Sequence, residues 1–169
     1  LFDPTVHIPL IMYFPGSSRY GVEVRDIVEH VDIMPTVLEY FGLPVPEAIR
    51  GTSVWPMIRG EIVQPRMAFI EHAGRNLVAL RSERFKYIKH QRTNYIQPSY
   101  PFIEGKEELY DLKADPRELR NLSSQEPELV ALFRDELRKR QHDRLDLRTG
   151  HAEMTDETVE ILRTLGYVE

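Results

Sequence analysis

Four short β-prone runs crowd the middle of the chain, at Arg66–Glu71, Asn76–Ser82, Phe85–His90 and Glu107–Leu112. The link Ser82–Arg84 is too short for a crossover helix, so the strands it joins must pair antiparallel. Pro127 then suits the first turn of a helix that sets Leu129, Val130, Phe133 and Leu137 on one stripe. Arg138, Lys139 and Arg140 are expected near its C-terminal end, where cations are favoured. The result is an α+β subdomain, an antiparallel sheet of about four strands packed against a C-terminal helix.

The first ~60 residues have the texture of the tail of a larger α/β domain. Pro9–Phe14 is an almost continuous apolar run stopped by Pro15 and Gly16, the pattern of a strand buried on both faces of a parallel or mixed sheet. Such a strand should pair with little of its own chain, and an unpaired edge recruits a partner, including a second copy as a homo-oligomer. Asp32 is expected to cap a helix with Pro35 in its first turn and Ile33, Val37, Leu38 and Phe41 at helical spacing, ended by Gly42 and Pro44. His142–Met154 reads as a polar linker, and Thr155 as the cap of a last helix closed by Gly166. The organisation that follows is 1–62 as the α/β tail, 63–142 as the sheet-and-helix subdomain, and 143–169 as an arm with a short helix.

Composition narrows the function. Of 169 residues, 41% are hydrophobic and 29% charged, the balance of a globular chain. The net charge of -5 argues against a nucleic-acid partner. No apolar run reaches membrane-spanning length, so no membrane partner is expected. There is no cysteine, which excludes disulfides, thiolate metal sites and a cysteine nucleophile. The six histidines are scattered without ligand spacing, so no metal site is expected. His30, His90, His142 and His151 read as surface or strand-end residues, Tyr110 and Phe85 as core, and Asp115–Pro116 as a turn.

Several segments resemble the sulfatase family of the alkaline phosphatase superfamily. Leu1–Phe2–Asp3 followed by Val6–His7–Ile8–Pro9–Leu10–Ile11 is similar to "LYE…(R/H)VPLI", and Val31–Leu38 with Gly42–Leu43–Pro44 to "VDLxPTLL…GLP". Gly51–Thr52–Ser53 resembles the "G(R/T)S" that follows. Ala79–Leu80–Arg81 with Arg84–Ile88 resembles "AVRxxRYKYI". Leu109–Leu112, Asp115–Pro116, Glu118 and Asn121–Leu122 resemble "LYDLxxDPxExxNL", and Leu162–Tyr167 a terminal "LRxLGY". Together they cover nearly the whole chain, in order.

The resemblance implies a full-length parent that hydrolyses sulfate esters with a formylglycine nucleophile, made from Cys or Ser in C/S-x-P-S/A-x-R, and a calcium ion held by oxygen ligands. Neither can be placed here: Ser17–Ser18–Arg19 and Ser123–Ser124 lack the Pro, and the family's sulfate-binding Lys, counted back from His7, falls just upstream of Leu1. No catalytic residue and no metal ligand is therefore assigned, and the partners implied are the missing N-terminal catalytic portion and a sulfated small molecule or carbohydrate. Compartment is not legible, with periplasmic or extracellular open for the parent. Substrate-binding candidates are His7, where relatives carry Arg or His; His72, after the strand from which family pockets draw a polar residue; and Arg81. The aromatic, Pro-rich loop Gln91–Gly105 is a candidate rim. Asn121–Leu122–Ser123 fits a glycosylation sequon but coincides with the family's "NL" turn. A related phosphodiesterase or phosphonate hydrolase, or a non-catalytic module, is the alternative.

Overall fold

The structure, a computed structural model, describes residues 1–16, 21–72, 76–91 and 103–147. Ser17–Arg19, His151, most of the loop 91–105, the helix expected at Thr155 and the terminal "LRxLGY" lie outside the described residues. Two compact units divide the chain, 1–138 and 139–169, and the fold set out below is that of the first.

The expected sheet forms. Strands β1 (Ala68–His72), β2 (Leu77–Arg81), β3 (Phe85–His90) and β4 (Glu107–Asp111) lie in the order β1-β2-β3-β4, all antiparallel. The β1–β2 link brings Asn76 to φ 47, left-handed backbone that Asn tolerates better than most residues. The β2–β3 turn is locked by Ser82, whose hydroxyl donates to the Phe85 carbonyl and accepts from the Phe85 amide.

Alternation along the strands gives the sheet two faces. Val78, Leu80, Tyr87 and Leu109 point to one, where helix α4 (Pro127–Leu147) lays Val130, Phe133 and Leu137 on them. Ala79, Ile88 and Tyr110 point to the other, where Leu1 packs and Phe2 meets Tyr110 edge-on at 5.9 Å. The N-terminal segment that does this carries a short helix, α1 (Asp3–Val6), that the sequence did not announce.

Three expectations need correction. Pro9–Phe14 forms no strand, with Ile11 92% and Tyr13 77% accessible, because a strand exists only through a partner and none is among the described residues. The helix from Pro127 does not stop before a linker at His142 but continues to Leu147, so Arg138, Lys139 and Arg140 fall inside it. The extension 138–147 contains no Gly or Pro and is rich in Arg, Lys, Gln and Leu, which sustain a helix. The Pro- and Gly-punctuated stretch 44–65, for which no helix was expected, contains α3 (Trp55–Arg59), begun by a Pro in its first turn and stopped by Gly60 at φ 80.

Helix α2 (Ile33–Tyr40) ends as expected at Gly42, whose φ of 66 lets its amide reach Glu39 and the next amide reach Leu38. Its apolar residues are not buried: Met34, Val37 and Phe41 face solvent.

Candidate functional site

Two buried polar constellations and one cleft stand out. The first surrounds Asp32, which is inaccessible to solvent. It stands at the N-cap position of α2 yet makes no side-chain bond to that helix. Instead Oδ2 accepts from the Glu29 amide at 2.8 Å, and Oδ1 from the Thr52 amide at 2.8 Å and Arg66 Nη2 at 2.9 Å. The expectation of a plain cap for α2 is thus corrected: the carboxylate ties three separate segments. Thr36 continues the stitch, donating to the Asp32 carbonyl at 2.6 Å and accepting from the Val54 amide at 2.9 Å. Gly51 is needed beside them, because a Cβ there would stand 1.8 Å from the Val31 carbonyl oxygen.

The second constellation lies on the sheet face away from α4. Register puts Arg81 of β2 opposite Lys86 of β3. Lys86 is fully buried, and its ammonium contacts Asp3 and donates to Glu118 Oε1 at 2.8 Å. Arg81 grips Asp3 with Nε and Nη2 at 3.0–3.3 Å. Glu118 closes the circle by accepting the Asp3 backbone N–H at 2.6 Å. Two cations thus face two carboxylates, which is the condition for tolerating charge inside a fold. Burial pushes the Asp3 carboxyl up, but hydrogen bonds from Arg81 and Lys86 outweigh it and hold the group below the ordinary carboxylate range. Glu118 sits at φ 54, a conformation a Glu rarely adopts.

Beside this quartet opens a cleft of about 580 Å³, lined by Asp3, His7, Arg81, Arg84 and Lys113 among others. Arg84 is held at its rim by Asp111 at 2.8 Å and lies 4.8 Å over the Phe85 ring. The hydrogen bond and charge of Asp111 raise the Arg84 guanidinium, and the same contact lowers the Asp111 carboxyl. The cleft suits a polar ligand and has no Ser, Thr or Cys among its lining residues.

The three predicted site residues separate. His7 is exposed just past α1, and Arg81 shares its cleft while bound to Asp3. His72 lies on the same sheet face at the opposite end of the β1–β2 pair: Ala68 stands opposite Arg81 and His72 opposite Leu77. Four residues of strand, about 13 Å, separate the two positions. His90 ends β3 but is buried rather than surface, 3.2 Å from Glu108 Oε1. Asn121 serves its turn, its Oδ1 accepting from the Leu109 amide at 3.0 Å and the Ser123 amide at 2.9 Å.

Sequence reading missed Lys86, Glu118 and Asp3 as a unit. One signal was available: Lys86 alternates with Ile88 and His90 on one strand face, so a buried Ile88 implies a buried and therefore paired Lys86. Among the described residues no three His, Asp or Glu converge on a point where a metal could bind. The calcium and formylglycine of a sulfatase have no fitting donor set in these residues, and no step is derived through them. No described helix is long and apolar enough to cross a membrane.

The family described as N-sulphoglucosamine sulphohydrolase, C-terminal, matches residues 1–143, and the chain belongs to it. Human arylsulfatase K is 30% identical over 142 residues, 77% of this chain and 25% of that protein. N-acetylglucosamine-6-O-sulfatase of Bacteroides thetaiotaomicron is 29% identical over 133 residues, 72% of this chain and 22% of its own length. A structure solved with its substrate D-glucosamine-2-N,6-O-disulfate superposes with a TM-score of 0.53 at 27% identity, covering 68% of this chain and 24% of that one. The chain therefore spans about a quarter of the length of the relatives it matches.

Proposed function

We propose that this chain is the C-terminal portion of a sulfuric ester hydrolase, completing its fold and one side of the substrate cleft. The nucleophile and the metal ligands come from an upstream catalytic portion, and the chain by itself is inactive. The observation that carries this reading is the family match over residues 1–143. The distribution of exposed apolar side chains supports it. Ile11, Tyr13, Met34, Phe41 and Leu43 are all turned to solvent within the first 45 residues, whereas both faces of the sheet are covered where α4 and the N-terminal segment lie. We read these exposed apolar side chains as part of an interface, and a catalytic α/β portion is the partner it fits.

The substrate class is a sulfated carbohydrate, the chemistry named for the relative solved with a glucosamine disulfate. His7 and the cleft beside Arg81 would face the sugar, and His72 would contact it separately from the strand end. The chain alone is expected not to turn over a chromogenic aryl sulfate, whereas the chain produced with its upstream portion is. Turnover by the purified chain alone refutes the reading. In the assembled enzyme His72→Ala should weaken kcat/KM on the carbohydrate by about 1–3 kcal/mol and leave a minimal aryl sulfate nearly unaffected. Equal losses on both would remove His72 from sugar recognition.

A further inference from the structure

The buried quartet joins parts of the chain far apart in sequence: Asp3 and Glu118 are 115 positions apart. All but one of its links run to Asp3. Its side chain takes Arg81 and Lys86, and its backbone N–H goes to Glu118. A cluster that served only to stabilise the sheet would join strand to strand, yet this one holds a four-residue helix, with no buried residue of its own, down on the sheet. The remaining bonds of that segment are local: the Thr5 amide to the Phe2 carbonyl and the His7 amide to the Asp3 carbonyl. Release of Asp3 would therefore free 3–7 as a unit. The strained backbone of Glu118, at φ 54, fits a side chain that must reach both Lys86 Nζ and the Asp3 N–H at once.

We propose that the Asp3–Arg81–Lys86–Glu118 quartet is a positioning latch, which locks the segment 1–7 onto the subdomain sheet and so fixes His7 and the chain that enters at Leu1 relative to the cleft. The inference rests on the reading of the chain as part of a larger hydrolase, because the positioning matters to catalysis only through that upstream chain. None of the four is a catalytic residue; each acts through the placement of the segment.

The test separates latch from stability. Lys86→Met alone leaves two carboxylates without their shared ammonium and should destabilise the fold, so the informative variant is the double Lys86→Met/Glu118→Leu. It removes the Lys86–Glu118 pair together, a change that is often neutral or stabilising, and takes from Asp3 both its ammonium contact and the acceptor of its N–H, leaving Arg81 as its one remaining link in the quartet. In the 169-residue chain the double variant should keep a Tm near the parent's. Amide exchange at Asp3, Thr5 and His7 should rise at least ~10-fold, while the β2 and β3 amides stay within ~2-fold. Unchanged protection at 3–7 overturns the latch. In the enzyme assembled with its upstream portion, kcat should fall about 10–100-fold with KM little changed, the signature of misplacement without lost binding. Retained kcat despite a released segment overturns the catalytic role. The exchange measurement needs no activity, so an inactive parent assembly would refute the hydrolase reading and leave the latch to be judged on exchange alone.

Discussion

Replacing Asp32 tests whether one carboxylate organises the N-terminal third. Asp32→Ala strands three donors: the Glu29 and Thr52 amides and Arg66 Nη2. A buried donor left without its acceptor costs about 1–3 kcal/mol. Arg66 is partly exposed and can turn towards water, so the two amides carry most of the loss, about 2–5 kcal/mol in sum. Asp32→Asn keeps the oxygen that serves Thr52 and Arg66 but turns an NH₂ towards the Glu29 N–H, and should cost about 1–3 kcal/mol. The chain's single tryptophan, Trp55, is placed to report the change. It opens α3 three residues after Thr52 and packs edge-on, 4.7 Å from the Phe14 ring and 5.6 Å from Tyr40. Urea unfolding followed by Trp55 emission should therefore show the midpoint falling in the order parent, Asn, Ala, at constant slope. A midpoint for Asp32→Ala within error of the parent, or an Asn variant as damaged as Ala, would refute the argument.

Further expectations follow from the other side of the molecule. Phe133→Ala, which empties the centre of the α4–sheet contact beside Tyr87 at 6.0 Å, should cost about 3–5 kcal/mol in the same urea assay. Asn121→Ala should cost about 1–3 kcal/mol, because the Leu109 and Ser123 amides lose their acceptor; an unchanged midpoint would show that water replaces it. Burial holds the His90 imidazole below its ordinary range, outweighing the hydrogen bond to Glu108, with the Lys106 charge also acting to lower it. The folded state thus prefers neutral His90 while the unfolded chain takes up a proton near pH 6.5, so stability is fully present above that value and falls as pH drops below it. His90→Gln should flatten this branch of the pH–stability curve, and an unchanged slope would place its origin elsewhere.

The sheet was legible because strand periodicity and turn chemistry are local. Phe85–His90 matches β3 to the residue, and the helix stripe Leu129–Val130–Phe133–Leu137 packs where its period placed it. The end of α4 was not, since a run of Arg, Lys and Gln is compatible with either a helix or a polar linker until packing or the absence of Gly and Pro decides. Pro9–Phe14 shows the opposite failure: its composition reads as a strand buried on both faces, but no residue sequence can supply a strand partner from outside itself.

The least legible feature was the one richest in chemistry. Asp3 lies in the first of the segments that resemble sulfatases, Arg81 and Lys86 in the "AVRxxRYKYI" segment, and Glu118 in "DPxE". Each looked structural when taken alone: a strand entry, a strand, a turn. In three dimensions the polar letters of these segments meet at a single buried point, where each charge is tolerated only because the other segments supply its counter-charge. That mutual dependence gives a physical reason for the segments to occur together. Lys86 without Glu118 and Asp3 would be a buried cation in an apolar sheet, and Asp3 without Arg81 and Lys86 would lose every side-chain partner, leaving its N–H to Glu118 and the packing of Leu1 and Phe2 to hold the N-terminal segment on the sheet. The same dependence explains why His72 and Arg81, chosen separately as polar residues at strand ends, did not converge: Arg81 was committed to the quartet, and the register of β1 on β2 carries His72 to the other end.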